Sequence, residues 1–129
     1  MKITVHRGIN QIGGNVIEIS TDKTKILLDA GLELNPIEET EVIKAEDVVE
    51  NGFDFDKLLR ENDFSAIFIS HYHADHVGLL SLAKNLPPVY MGKLAYDIFK
   101  VTEEYKNNIV NFIPAGYLYD SKPIVVGDI

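Results

Sequence analysis

The 129-residue chain reads as one α/β domain, a mixed sheet with helices covering at least one face. Two observations lead to that architecture. The first three apolar runs are short and joined by tight polar turns, which makes an antiparallel opening meander. After residue 54, short apolar strands alternate with amphipathic stretches, the pattern of strand–helix units. No internal repeat, low-complexity run or linker divides the chain.

Lys2 to His6 alternates Ile3 and Val5 with polar neighbours, the period-2 signature of a half-buried strand. Asn10-Gln11-Ile12-Gly13-Gly14-Asn15 is a turn signal, after which Val16-Ile17-Glu18-Ile19 resumes strand composition. Thr21-Asp22-Lys23 is a second turn, and Lys25-Ile26-Leu27-Leu28 a third strand ending at Asp29-Ala30-Gly31. Thr40 to Val49 has helical character. Asp54 or Asp56 can cap a helix through Leu58, Leu59 and Arg60. Phe64 to Ser70 reads as a short buried strand, and His76 to Asn85 as a helix stopping before Pro87-Pro88. Val89-Tyr90-Met91 is a strand, and Leu94, Ile98, Val101 and Tyr105 mark one face of a longer helix. Ile109 to Ile113 and Ile124 to Val126 return to strand composition.

With 46% hydrophobic and 25% charged residues the chain has the balance of a soluble globular domain. No apolar stretch approaches the roughly 20 residues that span a bilayer, and the N-terminus lacks the features of a secretory signal. Cysteine is absent, which excludes disulfides and thiolate metal sites and fits a cytoplasmic location. The net charge of −8 argues against a surface built to neutralise phosphates. Most of that charge lies between Glu38 and Asp63, where ten acids face three bases, so it reads as solvated helix faces.

Residues 71 to 76, His71-Tyr72-His73-Ala74-Asp75-His76, hold three of the four histidines in the chain. Imidazole is a common ligand for zinc and similar metals. Side chains at i and i+2 of an extended backbone point to one side, so His71 and His73 can grip one ion. Asp75 and His76 lie where the backbone turns into a helix and can diverge toward a second. Two ions about 4 Å apart that share a hydroxide form a hydrolytic centre. Burying three imidazoles and a carboxylate without a cation is costly, which favours metal binding over an exposed polar loop. His6, alone on its strand, reads as an ordinary strand residue.

The six residues match the H-x-H-x-D-H signature of metallo-β-lactamase-fold hydrolases, with Gly78 where many members have glycine. Leu27-Leu28-Asp29-Ala30-Gly31 resembles that family's strand-end aspartate motif. Ile12-Gly13-Gly14-Asn15 is similar to the early loop of its nucleic-acid-processing branch, the ribonuclease J-like and β-CASP enzymes. The resemblance implies a four-layer αββα sandwich, of which residues 1–129 supply the first αβ half. It implies that His71 and His73 bind one metal and that Asp75 and His76 bind the second. Asp75 would also orient the hydroxide, and Asp29 would support the ligand loop, which makes these two the candidate catalytic residues. Gly13 and Gly14 would serve backbone geometry. The ions would be zinc, with manganese or iron also compatible with His and Asp ligands.

The family completes its site with later histidines and an aspartate, and no histidine follows His76 in this sequence. The chain is therefore expected to be a truncated N-terminal piece, inactive alone, of a metal-dependent hydrolase. That hydrolase is expected to cleave phosphodiesters, with RNA as the partner. A sheet face left bare by the missing half is expected to drive self-association. Two alternatives stand beside this reading. One is a thioester or lactone hydrolase similar to glyoxalase II; the other is a non-catalytic metal-binding module.

Overall fold

A computed structural model describes residues 1–34 and 53–129. The opening meander forms as expected. β1 (Lys2–Arg7), β2 (Val16–Ser20) and β3 (Lys25–Leu28) pair antiparallel in turn. Helix α1 (Phe55–Glu61) is capped by Asp54, whose carboxylate accepts the Lys57 backbone N–H at 2.8 Å. It leads into β4 (Ala66–Phe68), which joins β3 in parallel. β5 (Val89–Met91) and β6 (Gly116–Tyr117) extend the parallel run to give a six-stranded mixed sheet in the order β1-β2-β3-β4-β5-β6. Among the described residues no helix is long and apolar enough to cross a membrane.

The register divides the sheet into two unlike faces. Leu27, Ile67, Val89 and Met91 belong to one buried cluster with Phe55 of α1, the Leu79-Leu80 turn and Phe99 of the last helix. The helices therefore cover that face. Two apolar rows cross the other face, Ile3-Ile19-Ile26-Ala66 and Val5-Ile17-Leu28-Phe68-Tyr90, and none of these residues belongs to the cluster. Phe68 and Tyr90 stack there with ring centroids 5.0 Å apart, while Ile3 remains 65% exposed. His6 is a strand residue hydrogen-bonded to its neighbour, its Nε2 being 2.9 Å from Glu18 on β2.

Several elements differ from the sequence expectation. The helix expected over His76–Asn85 starts earlier and is far shorter. It consists of one turn, α2 (Ala74–Val77), followed by a 3₁₀ turn over Gly78–Ser81. Tertiary backbone bonds compete with helix propagation at this point. Ala30 N–H donates to the His76 carbonyl at 2.7 Å, and Leu79 N–H donates to the Ala30 carbonyl at 2.9 Å.

Helix α3 (Lys93–Tyr105) forms but is rotated from the expected face. Phe99 and Glu103 are buried, whereas Leu94, Val101 and Tyr105 are exposed. Phe99 joins the core, and the Glu103 carboxylate accepts from Asn108 Nδ2 at 2.9 Å and Lys106 Nζ at 3.3 Å, which satisfies it in place. Neither Ile109–Ile113 nor Ile124–Val126 forms a strand. Pro114 and Pro123 flank these runs and lack the N–H a ladder needs. Asn111 and Phe112 instead bond to Ala83 and to Tyr96 of α3. The helix expected over Thr40–Val49 lies outside the described residues.

Candidate metal centre

β3 and β4 run parallel and end side by side, a place where α/β sheets expose functional groups. Asp29 follows β3 immediately. Its backbone N–H donates to the Phe68 carbonyl at 2.9 Å, continuing the ladder. Its φ of +59° is left-handed, a conformation that aspartate tolerates better than most residues. That twist directs the nearly buried carboxylate at the loop leaving β4. Oδ1 accepts the Ser70 N–H at 2.8 Å, while Oδ2 lies 3.0 Å from Ser70 Oγ and 2.7 Å from His76 Nδ1. Asp29 thus ties the entry of the histidine loop to its last histidine.

The loop then turns into α2, with His73 at the N-cap and Asp75 and His76 within the helix. Two backbone segments grip this single turn. Asn15 N–H donates to the Asp75 carbonyl at 3.3 Å, and Leu32 N–H to the Ala74 carbonyl at 2.9 Å. Gly31 lies so close that a Cβ on it would sit 1.7 Å from the Asp75 carbonyl oxygen. Gly13, with φ of +74°, likewise approaches the Asp75 Cβ. The glycine loop therefore serves backbone geometry, and what it positions is the turn that carries Asp75.

His71, Asp75 and His76 are brought together: one potential ligand atom from each lies within 4.8 Å of the others, all three residues being half-buried. The two expected pairs, His71 with His73 and Asp75 with His76, lie side by side in the same loop and turn. His71 packs against His76 with ring centroids 4.1 Å apart. His73 is exposed beside them, 4.8 Å from the His71 ring and 4.7 Å from the Tyr72 ring, both edge-on. In the neutral tautomer that donates Nδ1–H to Asp29, Nε2 presents a lone pair to Asp75 Oδ2 at 3.3 Å. Two acceptors at that distance attract a proton or a cation between them, so the donor set fits a metal ion.

The sequence profile of the metallo-beta-lactamase superfamily matches residues 9–128. The chain belongs to that superfamily. Within it, the chain is 34% identical over 104 residues to the protein named "Probable RNase MJ4" of Methanocaldococcus jannaschii, which is 78% of this chain and 21% of that one. It is 32% identical over 78 residues to ribonuclease J of Helicobacter pylori, covering 60% of this chain and 11% of the other. A crystal structure of a protein of unknown function from Enterococcus faecalis V583 superposes with a TM-score of 0.72 at 25% identity. That match covers 97% of this chain and 35% of the other. The chain therefore spans about a fifth or less of the named relatives' length. The ribonuclease names agree with the nucleic-acid-processing branch to which Ile12-Gly13-Gly14-Asn15 points.

Two contributors to the site were not assigned a contact there from the sequence. Ser70 precedes the motif as an unremarkable polar residue, yet its hydroxyl touches Asp29, His71 and His76. Asn15 sits 60 positions before Asp75 and reaches it through backbone alone.

Proposed function

We propose that this chain is part of a longer metal-dependent hydrolase that cleaves phosphodiester bonds in RNA, and that residues 1–129 alone turn over little or no substrate. The observation that carries this reading is the convergence of His71, Asp75 and His76 at the carboxyl ends of parallel β3 and β4. His71 with His73 would hold one divalent ion and Asp75 with His76 a second, zinc by preference, with manganese or iron compatible. Each ion would draw its remaining ligands from beyond these residues. When bound, such ions supply Lewis acidity toward a phosphoryl oxygen and a hydroxide nucleophile near neutral pH.

The chain's own groups do the rest. Asp75 accepts a proton or orients the nucleophile from within the gripped turn. Asp29 holds the His76 ring so that Nε2 faces the site. Tyr72, 39% exposed beside His73, offers an aromatic face to an approaching base. The ribonuclease names of the relatives support RNA as substrate.

A thioester or lactone substrate is a second reading, supported by the net charge of −8. The two are separated by presenting the metal-loaded full-length polypeptide with a labelled RNA and with an acyl thioester. The expected result is RNA cleavage that disappears in His76→Ala and with chelator. Thioester turnover without RNA cleavage would sink the phosphodiesterase reading.

A further inference from the structure

We infer that Ser70 is a positioning residue that fixes His71 in the tautomer protonated at Nδ1, leaving Nε2 free for a metal ion. This rests on the metal-centre reading above but concerns a residue outside the ligand motif. The Ser70 hydroxyl lies 3.0 Å from Asp29 Oδ2, 3.0 Å from His71 Nδ1 and 3.4 Å from His76 Nδ1.

A hydroxyl carries one proton and two lone pairs. If Ser70 spent its proton on His71 Nδ1, Oγ and the Asp29 carboxylate would face each other at 3.0 Å with lone pairs alone. Donation to the carboxylate removes that repulsion and makes the stronger, charge-assisted bond. The hydroxyl then has only acceptor capacity left, so His71 Nδ1 must bring the proton. His76 adds no competing acceptor, because its Nδ1–H already donates to Asp29 Oδ2 at 2.7 Å. One carboxylate thus sets both rings, His76 directly and His71 through Ser70. The backbone N–H of Ser70, held by Asp29 Oδ1 at 2.8 Å, keeps the relay in register. A metal-binding imidazole whose other nitrogen donates to such a partner arrives with its tautomer and orientation already selected.

The test needs neither turnover nor a bound metal. Long-range proton–nitrogen spectra of the histidine-labelled chain in chelator, at a pH where His71 is neutral, report which ring nitrogen carries the proton. In the unsubstituted protein His71 is expected to be protonated at Nδ1. In Ser70→Ala the ratio should shift toward the Nε2-protonated form by about threefold or more, a net worth of one hydrogen bond. Ser70→Thr, which keeps the hydroxyl, should restore the original ratio. Zinc affinity by calorimetry should fall by about tenfold in Ser70→Ala and recover in Ser70→Thr. The unsubstituted protein is itself a test if the alanine variant folds poorly. A His71 ring protonated mainly at Nε2 there, or a ratio unmoved in Ser70→Ala, overturns the inference. If the tautomer behaves as stated but zinc binds no better than to His71→Ala, the metal-centre reading fails and the positioning role stands.

Discussion

Replacing Gly31 with alanine puts a methyl group where the backbone of the ligand-bearing turn already lies. The new Cβ would meet the Asp75 carbonyl oxygen at 1.7 Å, the Asp75 carbonyl carbon at 2.4 Å and Asn15 N at 2.9 Å. All three are main-chain atoms, so no flexible side chain can yield. Opening the first contact from 1.7 Å to 3.0 Å moves the turn by about 1.3 Å. That shift disrupts the bonds from Asn15, Leu32 and Ala30 to residues 74–76. Losing two of them costs about 2 kcal/mol, and the overpacking adds roughly 1–3 kcal/mol. Against a total stability on the order of 5–15 kcal/mol, the melting temperature should drop by roughly 10–20 °C. Asp75 and His76 move with the turn, so zinc affinity should fall by at least about tenfold. Urea unfolding and zinc calorimetry on Gly31→Ala read both effects. Gly92→Ala is the control, since the nearest atom to its Cβ is 3.8 Å away; it should change stability by less than about 0.5 kcal/mol. A Gly31→Ala protein as stable as Gly92→Ala, with unchanged zinc binding, would refute the clamp.

Three further outcomes are expected. Asp54→Ala removes the α1 cap and should lower stability by about 1 kcal/mol in urea titration; no change would mean water replaces the cap at no cost. Burial pushes the Glu18 carboxyl up, but hydrogen bonds from His6 and Ser20 with the charge of Lys25 outweigh it and hold its pKa below the ordinary value. Its stabilisation is therefore full above the ordinary carboxylate range and lost as pH falls through the lowered value. Stability curves from about pH 3 to 7 should be flatter in acid, and lower at neutrality, for Glu18→Gln; parallel curves would discount the shift. Finally, the apolar rows on the face away from the helices, exposed chiefly at Ile3 and Val5, should drive self-association. Light scattering should show larger species that Ile19→Lys disperses, and a monodisperse monomer at high concentration would count against it.

The meander was legible because β1 alternates apolar and polar residues, β2 and β3 are short apolar runs, and each turn carries its own punctuation. The ligand loop was legible because ligand chemistry does not depend on the rest of the fold. What escaped reading depends on contacts distant in sequence. The run from His76 to Asn85 has helical periodicity, but Ala30 claims the His76 carbonyl and the Leu79 N–H. The apolar stripe Leu94, Ile98, Val101, Tyr105 is regular, yet Phe99 fills the core better from the neighbouring face. The packing of His71 against His76 goes with the hold of Asp29 on two positions 41 and 47 residues away. The resemblance identified Asp29 as a support, and only the geometry shows that Ser70 carries that support to His71.

The most direct test is zinc titration of the chain by calorimetry, comparing His71→Ala, Asp75→Ala and His76→Ala with His6→Ala. His6 lies on β1, paired with Glu18 of β2 and separated from β3 by that strand, and serves as the histidine control. Saturable binding that survives His6→Ala and is lost in each of the other three is the predicted result. Binding of equal strength in all four variants, or none in the unsubstituted chain, would contradict a metal centre built from His71, Asp75 and His76.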